Sequence, residues 1–96
     1  MKLRILSLAV GDLEAGRDFY ELQQAGLGQY FLDTLFSDIE ALLHAGVHVR
    51  YLDYFRALSK RFPYAIYYRI NGDDIEIWRV LDCQQNPRWI TKALRP

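Results

Sequence analysis

The chain has 96 residues, enough for one modest core and no second lobe, so residues 1–96 are read as a single domain. Half of the residues are hydrophobic and a quarter charged, the balance of a folded soluble domain, and no apolar run approaches the roughly 20 residues of a membrane span. The single Cys83 excludes an internal disulfide and suits a reducing, cytoplasmic compartment, and one Cys with two His is too few for a zinc site.

In chain order, Lys2 to Leu8 reads as a short strand. Gly11-Asp12 then offers a helix start, with Asp12 as N-cap and Glu14 in the first turn. Leu13, Ala15-Gly16, Phe19, Tyr20 and Gln23 follow helical spacing, and Gly26 and Gly28 break the helix on either side of Leu27. A second helix is expected from about Gln29 to Ala45, with Phe31, Leu35, Ile39, Leu42 and Leu43 as its apolar stripe and Gly46 ending it. The two helices are most simply an antiparallel hairpin. Val47 to Phe55 reads either as loop or as the approach to a strand, and Phe55–Ser59 as a strand antiparallel to Tyr64–Ile70.

The densest signal follows. Pro63 fixes φ and lacks an amide hydrogen, which suits the start of a strand. Tyr64–Ile70 and Ile75–Leu81 are β-branched and aromatic, and Asn71-Gly72 between them predicts a hairpin. Pairing even residues with odd ones puts Tyr64, Ile66, Tyr68, Ile70, Ile75, Ile77 and Leu81 on one face, a core. The other face receives Ala65, Tyr67, Arg69, Glu76, Trp78 and Val80. Asn86 then caps a short terminal helix over Arg88–Leu94, with Pro87 at its first position. The order β-α-α-β-β-β-α gives an α+β domain, with helices packed on one face of a small, mainly antiparallel sheet.

Chemistry-bearing residues are few. Net charge is zero, yet residues 1–46 carry −4 and residues 47–96 carry +4. A basic half is a footprint for phosphate or an acidic partner, or else scatter over a solvated surface. Lys60-Arg61 is a basic pair at a strand junction, equally readable as a solvated turn. Arg69 is expected to face Asp74 or Glu76 across the hairpin as a surface ion pair. Trp78, on the second face, is either a partner surface or is covered by the terminal helix through Trp89, Ile90 or Leu94. His44 and His48 read as ordinary helix-end residues, and Cys83 has no base beside it in sequence.

Taken together, Asp12-Leu13-Glu14, Tyr20-Glu21 followed by Gly26-Leu27-Gly28 and Phe31-Leu32, Arg61-Phe62-Pro63-Tyr64, Ile66-Tyr67-Tyr68 and the segment Val80–Pro87 resemble the RelE/ParE superfamily of toxins from bacterial toxin–antitoxin pairs. The resemblance runs through almost the whole chain and implies the β-α-α-β-β-β fold read above. It also implies a small cognate antitoxin encoded beside the chain, a higher-order toxin–antitoxin oligomer in some members, and no cofactor or metal. The RelE branch cleaves messenger RNA on the ribosome; the ParE branch poisons DNA gyrase and is not a nuclease; a third outcome is a decayed toxin that retains only antitoxin binding.

This sequence departs from the nuclease pattern. Nuclease members carry an arginine just after the tyrosine of the third strand, where Ala65 stands here. Many members carry a basic pair after the last strand, here Gln84-Gln85, and Asp82 replaces a frequent histidine. Metal-free RNA cleavage needs a base, an acid and cations for the phosphorane. Its candidates here are Lys60, Arg61, Tyr64 and Arg88, with Asp82 near them. For a toxin that acts by binding, Lys60, Arg61 and Arg88 are the expected target surface, and Tyr67, Trp78 and Trp89 the expected antitoxin surface.

Overall fold

A computed structural model describes residues 1–44 and 48–95. Strand β1 (Lys2–Ile5) is shorter than expected, and helix α1 (Ser7–Gln23) begins directly after it. The residues that α1 buries, Ala9, Leu13 and Gly16, recur at helical spacing from before Asp12. Leu6 and Leu8 therefore mark the exit from the strand, and Asp12 is no N-cap but a residue within the helix. Left-handed Gly26 (φ 88°) opens helix α2 (Leu27–Glu40), followed by a 3₁₀ turn over Ala41–Leu43. The expected α-helix therefore gives way to this turn after Glu40, and its expected last residue Ala45 and its end at Gly46 lie outside the described residues.

Gly28 is not a breaker but part of α2. A Cβ at Gly28 would stand 2.7 Å from the Arg17 carbonyl oxygen, and one at Gly16 would stand 2.5 Å from the Phe31 ring. These glycines let the two helices touch. The Glu21 carboxylate closes the turn between them by accepting from the amides of Gly26 (3.0 Å) and Gly28 (2.9 Å).

The segment read as loop or approach is itself a hairpin. Strand β2 (Val49–Tyr51) pairs antiparallel with β3 (Tyr54–Leu58) through a turn at Leu52-Asp53, where Leu52 takes a φ of 55°. The sequence shows no Gly or Asn there to announce that conformation. Strands β4 (Tyr64–Asn71) and β5 (Asp74–Asp82) form the expected hairpin, its loop Gly72-Asp73 carrying φ 61° at Gly72, as a type II′ turn requires. The five strands lie in the order β1-β5-β4-β3-β2, with only β1–β5 parallel. Helix α3 (Pro87–Ala93) starts as predicted, with the Asn86 side chain accepting from the Arg88 amide at 2.8 Å and Pro87 in the first turn.

The hairpin holds one departure that reassigns its faces. Tyr68 pairs with Ile77, but Tyr67 pairs with Arg79, so Trp78 is an extra residue in β5. Beyond this bulge the parity flips. Val80 joins the core under α1 and α2 with Ile66, Tyr68 and Ile77, and Leu81 passes to the opposite face with Ala65 and Tyr67. That second face is not bare, because α3 covers it through Ile90 and Leu94. The helices thus occupy both faces of the sheet, not one.

The bulge sits where β1 has ended. Leu6 donates the last β1-side bond to Ile77 O, and Val80 N has no strand beside it. Asp12 takes that place: its Oδ2 accepts from Val80 N (2.9 Å) and Arg79 Nε (2.7 Å), and its Oδ1 from Arg79 Nη2 (2.8 Å). Arg79 Nη1 continues to Ala93 O at the end of α3 (3.2 Å). The Asp12 carboxylate holds the Arg79 guanidinium above its ordinary pKa, since the paired charge is favoured. Asp12→Ala is expected to lower the urea unfolding free energy by about 3 kcal/mol, because it leaves a half-buried cation and an edge amide unpaired. The Asp12→Ala/Arg79→Ala double variant should lose clearly less than the sum of the single losses, whereas Arg4→Ala, removing an exposed pair with Glu76, should cost under about 1 kcal/mol.

Candidate functional site

The end of β5, the start of β4, the middle of α1 and the first turn of α3 enclose a cleft of about 320 Å³. Strand pairing builds it. Tyr64 lies opposite Asp82, and Cys83 N donates to Pro63 O (2.7 Å), so the segment after the last strand returns beside the start of β4. Asp82 then turns the chain, its Oδ1 accepting from Gln84 N (2.8 Å) and its carbonyl from Gln85 N (3.2 Å). The cleft is lined by Asp12, Phe19, Tyr64, Asp82, Gln85 and Trp89, among others. It is an acidic and aromatic cleft.

Its electrostatics disfavour phosphate. Burial, and then the neighbouring Tyr20, Asp82 and Asp12, push the Tyr64 phenol up to about 12, so it stays protonated near neutrality and cannot act there as a base. Arg79 is hydrogen-bonded to the cleft wall, and Asp12 occupies its fork. Ala65, at the position of the nuclease arginine, is 0% exposed, packed in the layer beneath α3. An arginine there would have to enter this buried apolar layer.

The predicted cations are spread over different places. Lys60 lines a cleft with Asp38, His44 and His48. Arg61 Nη1 donates to Tyr30 Oη (2.7 Å) on α2, and its guanidinium lies over that ring, so it does not pair with Asp82. Arg88 stands on α3, on the other side of the sheet, beside Lys92 and Arg95. Arg69 is in register with Glu76, yet its guanidinium stacks between Tyr54 (4.4 Å) and Trp78 (4.7 Å), and Glu76 pairs with Arg4 instead. A planar cation gains more between two rings than in a solvated pair.

The predicted partner face is likewise divided. Tyr67 is 1% exposed beneath α3, and Trp78 is half-buried against the same cluster, so within this chain neither presents the open surface expected of it. Trp89 remains 46% exposed and Phe19, across the cleft mouth, 55%. Phe19 was legible only as a helix-stripe residue. Lys92 and Arg95 were overlooked, although Arg88, Lys92 and Arg95 follow helical i, i+4, i+7 spacing after a recognisable cap. Cys83 has Arg56 Nη2 at 3.7 Å, a cation brought from β3 that adjacency in sequence could not show. Among the described residues no group of three or more His, Cys, Asp or Glu side chains is arranged to hold a metal ion.

Comparison with known proteins accords with this geometry. A family model for the ParE toxin of the type II toxin–antitoxin system, parDE, matches residues 3–87. No curated protein sequence matches the chain. Among solved structures, the chromosomal ParDE TA system from P. aeruginosa is similar in fold, with a TM-score of 0.71 at 21% identity, over 83% of this chain and 92% of that one. With a match over nearly its full length, the chain belongs to the ParE toxin family of type II toxin–antitoxin systems.

Proposed function

We propose that this toxin arrests growth by binding its target, DNA gyrase, without cleaving RNA, and that a small antitoxin neutralises it. One observation carries the reading: the cleft where the two strand ends meet is lined by Asp82, by Asp12 already paired with Arg79 and by the Tyr64 phenol pushed up to about 12, with no Lys or Arg among its lining residues, where a nuclease needs cations and a base. Ala65 removes a further cation, and the loss of one well-placed donor or cation at a transition state costs on the order of 10²–10³ in rate. Gyrase as the target follows from the ParE branch of the superfamily, and the similar solved structure is of a ParDE system. Lys60, Arg61 and Arg88 remain the proposed target-facing cations, acting from separate surfaces.

The test is direct. The purified chain should inhibit gyrase supercoiling of plasmid DNA and should show no cleavage of message on translating ribosomes. Codon-dependent cleavage abolished by Arg61→Ala would replace this reading with the ribonuclease one.

The antitoxin is proposed to seat an apolar anchor between Phe19 and Trp89. Both rings are exposed at the mouth of an acidic cleft, which favours an anchor flanked by a basic residue. The product of the adjacent reading frame should copurify with the tagged chain. Phe19→Ala/Trp89→Ala should weaken that complex at least about 30-fold, as truncation of hot-spot aromatics does. Absence of any association at micromolar concentration would refute the antitoxin assignment, and unchanged affinity of the double variant would move the anchor elsewhere.

A further inference from the structure

We infer that the outer face of α3 is a contact surface for the phosphate backbone of duplex DNA, carried by Arg88, Lys92 and Arg95. The inference rests on the reading of a gyrase-directed toxin, since the substrate of that target is duplex DNA.

The geometry starts from the helix. Ile90 and Leu94 are buried against the sheet, at 6% and 2% exposure. At 3.6 residues per turn, Arg88, Lys92 and Arg95 fall within an arc of about 60° on the opposite side. The turn continues through Leu94, which keeps right-handed helical angles, and Arg95 N donates to Lys92 O (3.3 Å). The three cations therefore form one exposed ridge, roughly 10 Å long at 1.5 Å per residue. One strand of duplex DNA presents about three phosphates over that length.

Folding does not account for the ridge. A cation near a helix C-terminus is favoured by the dipole, which suits Lys92 and Arg95. Arg88 stands in the first turn, where the dipole opposes it. From Cys83 to Arg95 the sequence has no acid, and none of the three enters an ion pair among the described residues. Asp53 shares a neighbouring cleft with Arg95 without pairing to it.

The chemistry of the surface selects the partner. The groove along the ridge is lined by Pro87, Arg88, Thr91, Lys92 and Arg95. It holds no aromatic or large aliphatic side chain to serve as the buried anchor of a protein interface. Trp89 turns instead to the cleft shared with Phe19 and Asp82. A bare row of cations suits a polyanion, whose affinity comes from counterion release and needs no apolar anchor.

The experiment is fluorescence anisotropy of the whole chain with a labelled 20-base-pair duplex, read between about 50 and 200 mM NaCl. Binding in the range of about 10⁻⁴–10⁻⁶ M is expected, with a slope of log K against log salt of about −2.7 from three phosphates. Each single change, Arg88→Gln, Lys92→Gln or Arg95→Gln, should reduce the slope by about 1, and the triple variant should lose at least about tenfold in affinity. The three side chains are exposed, so the triple variant should keep the wild-type circular dichroism and melting temperature. A folded triple variant with wild-type affinity and slope overturns the inference, as does a wild-type chain that leaves the duplex free at low salt. Ridge-dependent binding of poly-glutamate in place of DNA would overturn it in favour of an acidic protein. Supercoiling inhibition, measured on the same preparations, keeps the two ideas apart: inhibition without duplex binding removes only the ridge assignment, and duplex binding without inhibition removes only gyrase.

Discussion

The Asp12 carboxylate is the constraint on which the two layers depend. β1 ends at Ile5, while β5 runs on to Asp82, so the second half of β5 lacks a neighbour on that side. Asp12 supplies one from the helix, accepting from Val80 N and from Nε and Nη2 of Arg79. Arg79 in turn reaches Ala93 O on the far face of the sheet. Tyr54 adds a second tether to the same helix end, donating to Leu94 O at 2.7 Å. One carboxylate thus joins α1, the edge of β5 and α3 in a continuous chain of hydrogen bonds. The bulge at Trp78 makes this reach possible, because it sets Arg79 one position out of the alternation.

The proposed function draws on the same arrangement. With α3 fixed, Trp89 faces Phe19 across the acidic cleft, and the cations of α3 are turned outward. Two surfaces of opposite character flank α3: an acidic-aromatic cleft that Trp89 borders on one side and a basic ridge, continued past the helix by Arg95, on the other. A site for phosphoryl chemistry would require the cations inside the cleft, where instead Asp12 has already engaged Arg79.

Much of the fold was legible from local rules. Asn71-Gly72 fixed the hairpin, Asn86-Pro87 fixed the start of α3, and the stripe of Phe31, Leu35 and Ile39 fixed the buried face of α2. Three features were not legible, each for a physical reason. The β2–β3 turn uses Leu52 at positive φ, a conformation that its side chain does not advertise. The bulge leaves no mark in an alternating run, yet it exchanges the faces of Val80 and Leu81. Asp12 carried a strong capping signature, and only the early end of β1, a tertiary fact, gave it a different role. The candidate site was partly visible: the convergence of the Tyr64 and Asp82 ends followed from antiparallel pairing. The same pairing suggests that Lys60, Arg61 and Arg88 converge at that sheet end, but α2 and α3 draw them to different sides of the sheet.

The central claim is that Asp12 couples the edge of β5 to α3. Amide hydrogen exchange, followed residue by residue by NMR in the wild type and in Asp12→Asn, tests it most directly. The neutral side chain is nearly isosteric but cannot hold Arg79 as a charged fork. The account predicts that Val80, Ile90 and Leu94 lose protection together, while Phe31 and Leu35 in α2 keep theirs relative to global unfolding. Loss of protection at Val80 with α3 unchanged would contradict the coupling, and α3 would then be held by Tyr54 and the apolar layer alone.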